Sequence, residues 1–273
     1  MELPLLHIFR NTPFGRETLL QSACTADKLH LSVDIFIPEH KKLLFYFDQD
    51  IVQLDLDKSY LYDPGSARAH AQEIMAEFPA VAYRFIDVEG FTATDLPNLP
   101  VDYAIMTCPR SVSDVTSRIG LGHIGPKVRR LLQIGRFPVI IPGGAFKPWR
   151  SIVVLYGGSD CAANALELGE KLHKRSGFPL KVISIGDELQ LRAGLERRNL
   201  ESIVDHADWQ IFPGTSLQQY LYHIPHDALV VLGAYGHGPV KALLGSNMEL
   251  VQSQLPNPLL VVGPLCGSDF PFR

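Results

Sequence analysis

Residues 227–236 read DALVVLGAYG and residues 244–264 read LGSNMELVQSQLPNPLLVVGP, and this stretch decides how the rest of the chain is read. It runs apolar strand, glycine loop, helix, apolar strand. The same order stands at 102–143, as DYAIMTCPRS at 102–111 and IGPKVRRLLQIGRFPVIIPG at 124–143. Counted back from the final strand, Gly125 falls opposite Gly245 and Pro138 opposite Pro258 with no gap between them. A register held that long marks an internal duplication. The openings agree more loosely: LLHIF at 5–9 and IVVLY at 152–156 each precede a helix, and LSVDIFI at 31–37 and LKVISI at 180–185 each read as the following strand.

In the second half, β-branched apolar runs near 151–156, 180–185, 207–212, 228–232 and 259–263 alternate with helix-period segments, the pattern of βαβ units around a parallel sheet. Ala162, Ala165, Leu166, Gly169 and Leu172 share one helix face, and Met248, Val251 and Leu255 share another, so both faces are expected in the core. Pro142-Gly143-Gly144-Ala145-Phe146-Lys147-Pro148-Trp149 interrupts helix and strand alike and sets a boundary between units 1–146 and 147–273. Residues 42–62 have no counterpart in the second half, and their partial alternation predicts a β-hairpin or an extra edge strand.

The composition excludes several classes. In 273 residues, 25 Lys and Arg stand against 29 Asp and Glu, a net charge of -4 that lacks the field of a dedicated nucleic-acid binder. No stretch reaches the ~20 apolar residues of a membrane span, and Met1-Glu2-Leu3-Pro4 opens without a basic region, so export and membrane insertion are not expected. Cys24, Cys108, Cys161 and Cys266 lie far apart without a Cys-x-x-Cys pair, which fits a reducing cytoplasm.

The chemistry concentrates in Gly233-Ala234-Tyr235-Gly236-His237-Gly238-Pro239 through Leu244-Gly245-Ser246-Asn247, between strand and helix. At the carboxyl edge of a parallel sheet, glycines admit an anion close to the backbone and a helix N-terminus holds phosphate oxygens. The same residues also suit a plain turn with a serine cap, and from the residues alone both readings stay open.

With these residues in place, the sequence resembles the universal stress protein family, whose nucleotide-binding members carry Gly-x2-Gly-x9-Gly-Ser/Thr before the last helix. The resemblance implies two tandem α/β domains, each a five-stranded parallel sheet of order 3-2-1-4-5 flanked by helices, with their final strands packed about a pseudo-twofold axis. It also implies a non-catalytic stress-response or regulatory module, ATP or ADP as ligand, and a homodimer. The motif here, Gly233-x2-Gly236-x8-Gly245-Ser246, is one residue short. The family's Asp after the first strand is replaced by Gly157 in Tyr156-Gly157-Gly158-Ser159-Asp160-Cys161, and Asp160 falls at the helix start, where it is expected to cap. The implied nucleotide site is Gly157, Gly158, Gly233, Gly236, Gly245, Ser246 and Asn247. In the first half Cys108 and Ser111 take the first two glycine positions and Pro126 follows Gly125, so that half is expected to be degenerate and structural.

Residues 156–161 also resemble the pyrophosphate loop of ATP pyrophosphatases, with both loop serines replaced, which keeps an ATP-using enzyme as an alternative beside a scaffold that binds nothing. His206, His223 and His226 lack a cysteine partner for zinc, and His237 reads as either a phosphate contact or a loop histidine. Lys127, Arg129, Arg130 and Arg136 read as a solvated helix face. Cys108 and Cys161 read as structural thiols without a nucleophile's His and Asp/Glu partners, so no catalytic residue and no metal ligand is assigned.

Overall fold

The structure, a computed structural model, describes residues 2–48, 50–93, 95–109, 124–234 and 255–267. The first-half strands of the main sheet are Leu5–Ile8 (β1), Val33–Phe36 (β2), Tyr83–Ile86 (β5), Ile105–Thr107 (β8) and Val139–Ile141 (β9). Those of the second half are Ser151–Leu155 (β10), Leu180–Ile185 (β11), Asp208–Phe212 (β12), Ala228–Gly233 (β13) and Leu259–Val262 (β14). Together they form one ten-stranded sheet in the order β12-β11-β10-β13-β14-β9-β8-β1-β2-β5. Within each half the pairs are parallel and the order is 3-2-1-4-5. The halves meet through antiparallel pairing of the final strands, Leu259 with Ile141 and Val261 with Val139, as a local twofold requires. Each final strand thereby covers an edge that would otherwise template association.

The strands form because their residues are apolar and largely β-branched on both faces, as fits a sheet covered on both sides. On one face lie the helices Pro13–Leu29 (α1), Pro64–Met75 (α2), Asp160–Ser176 (α4), Glu188–Glu196 (α5) and Glu201–His206 (α6), sharing a core that runs across both halves. On the other face lies Pro126–Ile134 (α3), which buries Val128, Leu131 and Leu132.

α1 and α4 are each 17 residues long. Thr12 caps α1 by accepting from the Gly15 amide at 3.1 Å, and Ser159 caps α4 by accepting from the Ala162 amide at 3.2 Å. Both helices stop at a left-handed residue, His30 and Gly177.

The 42–62 insert does form a hairpin, of Lys42–Phe47 (β3) and Asp50–Asp55 (β4). Gly90–Phe91 (β6) and Pro97–Leu99 (β7) extend it into a separate four-stranded sheet, β4-β3-β7-β6. That sheet lies over α3, whose basic face stays about half exposed to solvent and is also paired with the hairpin. Lys127 pairs with Asp55 at 2.9 Å, Arg130 with Asp50 at 2.8 Å, and Arg136 with Asp48. Arg129 turns back to the Ile124 carbonyl at 2.9 Å. The hairpin supplies the acids that the helix sequence alone does not reveal.

Trp149, at the boundary expected from Pro and Gly, is fully buried between the halves. Its indole N–H reaches Thr25 Oγ1 of α1 at 3.4 Å and its ring meets Phe178 edge-on at 5.3 Å. Phe146 donates its amide to Glu17 at 2.7 Å, and Arg175 bridges back to Glu2 at 2.9 Å.

Candidate functional site

The ladders fix which residues of the two halves correspond. Leu5 N donates to Ser32 O and Phe9 N to Phe36 O; Ile152 N donates to Pro179 O and Tyr156 N to Ile183 O. Phe9-Arg10-Asn11-Thr12 therefore matches Tyr156-Gly157-Gly158-Ser159. On the fourth strand Leu5 pairs with Ile105 and Ile152 with Leu229, which matches Cys108 to Leu232 and Pro109 to Gly233. Counting glycines along the sequence had placed Cys108 opposite Gly233; the ladder corrects this by one residue. Pro138 and Pro258 do correspond, since their carbonyls accept from Met106 and Val230.

In each half the strand order reverses between the first and fourth strands, and the crevice at their carboxyl ends is where open α/β sheets take ligands. In the second half the crevice is walled by the turn 156–159 and the end of β13. Tyr156 is buried, and its hydroxyl donates to the Leu191 carbonyl at 3.3 Å. Burial pushes that phenol up to about 12, so it is a neutral anchor. A Cβ on Gly194 would stand 2.7 Å from the Tyr156 hydroxyl, so α5 presses directly on the turn. Gly158 has φ +77°, the left-handed region that excludes most side chains.

Gly233 ends β13 where a Cβ would stand 2.6 Å from Cys161 C and 2.8 Å from Ala162 N. Strand end and first turn of α4 thus meet without a side chain between them. Asp160 does not cap α4, contrary to expectation: Ser159 does, and Asp160 is exposed, 3.8 Å from Arg198. Arg198 is also held by Glu167 at 3.0 Å and Asn164 at 2.7 Å. The crevice offers a glycine turn and a helix N-terminus, which hold an anion through backbone dipoles. Gly157, Gly158 and Gly233 come together there. Gly236, His237, Gly245, Ser246 and Asn247 lie outside the described residues, as does Ser111.

The first-half crevice is filled by its own chain. The turn Lys58–Leu61, a 310 helix capped by Asp57, sets Asp57 Oδ2 3.0 Å from Arg10 Nη2 and the Tyr60 ring 5.3 Å from the guanidinium. Asn11 donates to Ser66 at 3.2 Å and lies 2.9 Å from His70 Nδ1. Tyr60 packs with Cys108 and Ile124 in one buried cluster. No local pattern marks this filling, because Asp57 and Arg10 are far apart in the chain.

A second feature missed in the sequence is a polar seam under α1. His7 Nδ1 lies 2.8 Å from Ser22 Oγ, which donates to Thr107 Oγ1 at 2.8 Å, all three buried. Burial pushes His7 down to about 3, and its Nε2 meets no partner among the described residues.

The described cysteines are all buried, and burial raises Cys108 and Cys266 to about 12, far from thiolate chemistry at neutral pH. Among the described residues no three His, Cys, Asp or Glu side chains gather to hold a metal ion. The His223 ring lies tilted against Tyr222 at 4.2 Å and against Phe212 at 4.5 Å. No helix among the described residues is long and apolar enough to cross a membrane.

Solved structures share this arrangement. A universal stress protein from Archaeoglobus fulgidus matches with TM-score 0.60 and 18% identity over 96% of this chain and 96% of its own. A putative universal stress protein from Pseudomonas aeruginosa matches with TM-score 0.53 and 13% identity over 96% of this chain and 94% of its own. The cytoplasmic domain of a prokaryotic cation chloride cotransporter matches with TM-score 0.51 and 10% identity over 96% and 95%. No protein-family model matches the chain, and no curated protein matches it significantly. The chain is a tandem α/β structure with the fold of universal stress proteins.

Proposed function

We propose that this chain is a cytoplasmic universal stress protein of two units, 1–146 and 147–273, acting in stress response as a non-catalytic, nucleotide-responsive module. ATP or ADP binds the second unit, its phosphates over Gly233, Gly236, Gly245, Ser246 and Asn247 and its base toward Gly157 and Gly158. The observation that carries this reading is the inequality of the two crevices. One is walled by a glycine turn at a helix N-terminus, the other is occupied by the Arg10–Asp57 pair and Tyr60. Backbone donors hold phosphate without a side-chain charge, so this part of a site survives the replacement of the family's Asp by Gly157. The shortened motif and the missing carboxylate weaken enclosure and orientation, and binding is expected to be weaker than in family members with the full motif.

The test is incubation with MgATP, desalting, and analysis of retained nucleotide and released products. Retained ATP or ADP without turnover supports the reading. Steady release of pyrophosphate or AMP would replace it with an ATP-using enzyme, and an empty protein with a scaffold. A homodimer would form through a surface other than β9 and β14, which cover each other within the chain. Light scattering separates the mass of one chain from that of two.

A further inference from the structure

We propose that the first-half crevice is a latent oxyanion site, held shut from within by the Asp57 carboxylate. The inference concerns Arg10 and the insert, and does not depend on nucleotide binding by the second half.

Arg10 stands in the turn between β1 and α1, at the place that the ladder register matches to Gly157. The Asp57 side chain is 2% exposed. Its Oδ2 faces Arg10 Nη2 at 3.0 Å, and its Oδ1 accepts from the Ser59 amide at 2.8 Å and from the Ser59 hydroxyl. Arg10 Nε donates to the same Ser59 oxygen, and the Tyr60 ring lies against the guanidinium. One guanidinium nitrogen, a backbone amide and a hydroxyl converging on one buried carboxylate form the kind of donor set that a phosphate group takes.

The carboxylate arrives on the 42–62 insert, which the second half lacks. Taking two charges out of water is costly, and a carboxylate buried over a ligand crevice fits an internal occupant better than a simple staple. An incoming phosphate would displace the Asp57 carboxylate from Arg10 while the turn 58–61 stays in place and keeps its Ser59 amide and hydroxyl as donors. That would make the Asp57 side chain an internal plug exchanged for ligand.

The test is anion rescue. Asp57→Asn keeps a residue able to cap the turn but removes the charge, leaving Arg10 without its counterion. Thermal midpoints are read with about 20 mM inorganic phosphate against chloride at equal ionic strength; several degrees of rise are expected for Asp57→Asn, about 1 degree or less for wild type, and no more than wild type for Arg10→Gln/Asp57→Asn. Phosphate bound by the second half would raise all three alike and cancels in the comparison. If Asp57→Asn is unfolded in chloride, recovery of its native circular dichroism by phosphate reads the same site. AMP at the same concentration identifies the source: a response to phosphate alone marks a free anion, an equal or larger response to AMP a nucleotide phosphate. Absence of any response specific to Asp57→Asn, folded or unfolded, overturns the proposal.

Discussion

His7, Ser22 and Thr107 in the first half occupy the places that Val154, Gly169 and Val231 occupy in the second, between the first strand, the first helix and the fourth strand. In the second half the contact is apolar and close: a Cβ on Gly169 would stand 2.4 Å from Val154 Cγ2. In the first half the same space is bridged by hydrogen bonds at 2.8 Å. One crevice is likewise walled by a glycine turn and the other is packed with Arg10, Asp57 and Tyr60. Equal backbone register carries the fold from one half to the other but does not carry the chemistry, which each half's side chains set independently.

The comparison breaks first at the seam that joins the halves. Trp149→Ala removes a buried ring between α1 and the second half, and should lower unfolding free energy by about 3–5 kcal/mol in a denaturant titration. A loss below about 1 kcal/mol would mean that the halves do not share this core.

The polar seam should show in pH dependence. His7 is held down to about 3 when folded and returns to its ordinary value near 6.5 when unfolded, so the unfolded chain binds more protons between these limits. Its contribution is fully present above pH 6.5 and is lost as pH falls toward 3, at about 1.4 kcal/mol per unit. His7→Val, the residue type of the second half, should flatten the fall by about 3 kcal/mol between pH 7 and pH 4. Equal slopes for the two proteins would remove His7 from the account.

The glycines of the second crevice sharpen the comparison further. Gly233→Ala forces a Cβ against the backbone of Cys161 and should cost about 1–3 kcal/mol, even without ligand. Gly158→Ala meets only an ordinary contact, Leu191 Cδ2 at 3.8 Å, but keeps φ at +77°, and should cost about 1 kcal/mol. Denaturant midpoints in the reverse order would place the constraint in the turn instead of the strand end.

The smallest effect belongs to the hairpin's ion pairs with α3. Lys127→Gln and Arg130→Gln break contacts that are about half exposed, and should each cost under about 1 kcal/mol, vanishing in high salt. A larger, salt-independent loss would show that α3 and the hairpin depend on charge for their packing.

Much of the fold was legible because it rests on local periodicity. The five second-half strands and the hairpin at 42–55 follow from apolar runs and their breaks, while the pairing of the final strands followed from the family resemblance. The polar seam was not legible, because Thr18, Gln21, Ser22 and Thr25 are polar residues that no apolar periodicity marks as core, yet all four are buried. Nor was the filled crevice, since residues 57–60 fall in the stretch expected as a hairpin or edge strand, and nothing in it points to Arg10. Gly233 has a packing reason that the sequence does not show, since a Cβ there would meet the backbone of Cys161. The one-residue shift that puts Pro109 opposite it could be fixed only by hydrogen-bond ladders.

The central claim is that the second half alone carries the nucleotide site, and calorimetry with ATP and ADP on Gly236→Val and Ser111→Val tests it most directly. The first change adds a side chain where the motif requires backbone to approach phosphate, and the second alters the position that counting along the sequence gives it in the first half. The account predicts one nucleotide per chain for wild type and for Ser111→Val, and binding lost in Gly236→Val. Binding untouched by Gly236→Val and abolished by Ser111→Val would contradict it.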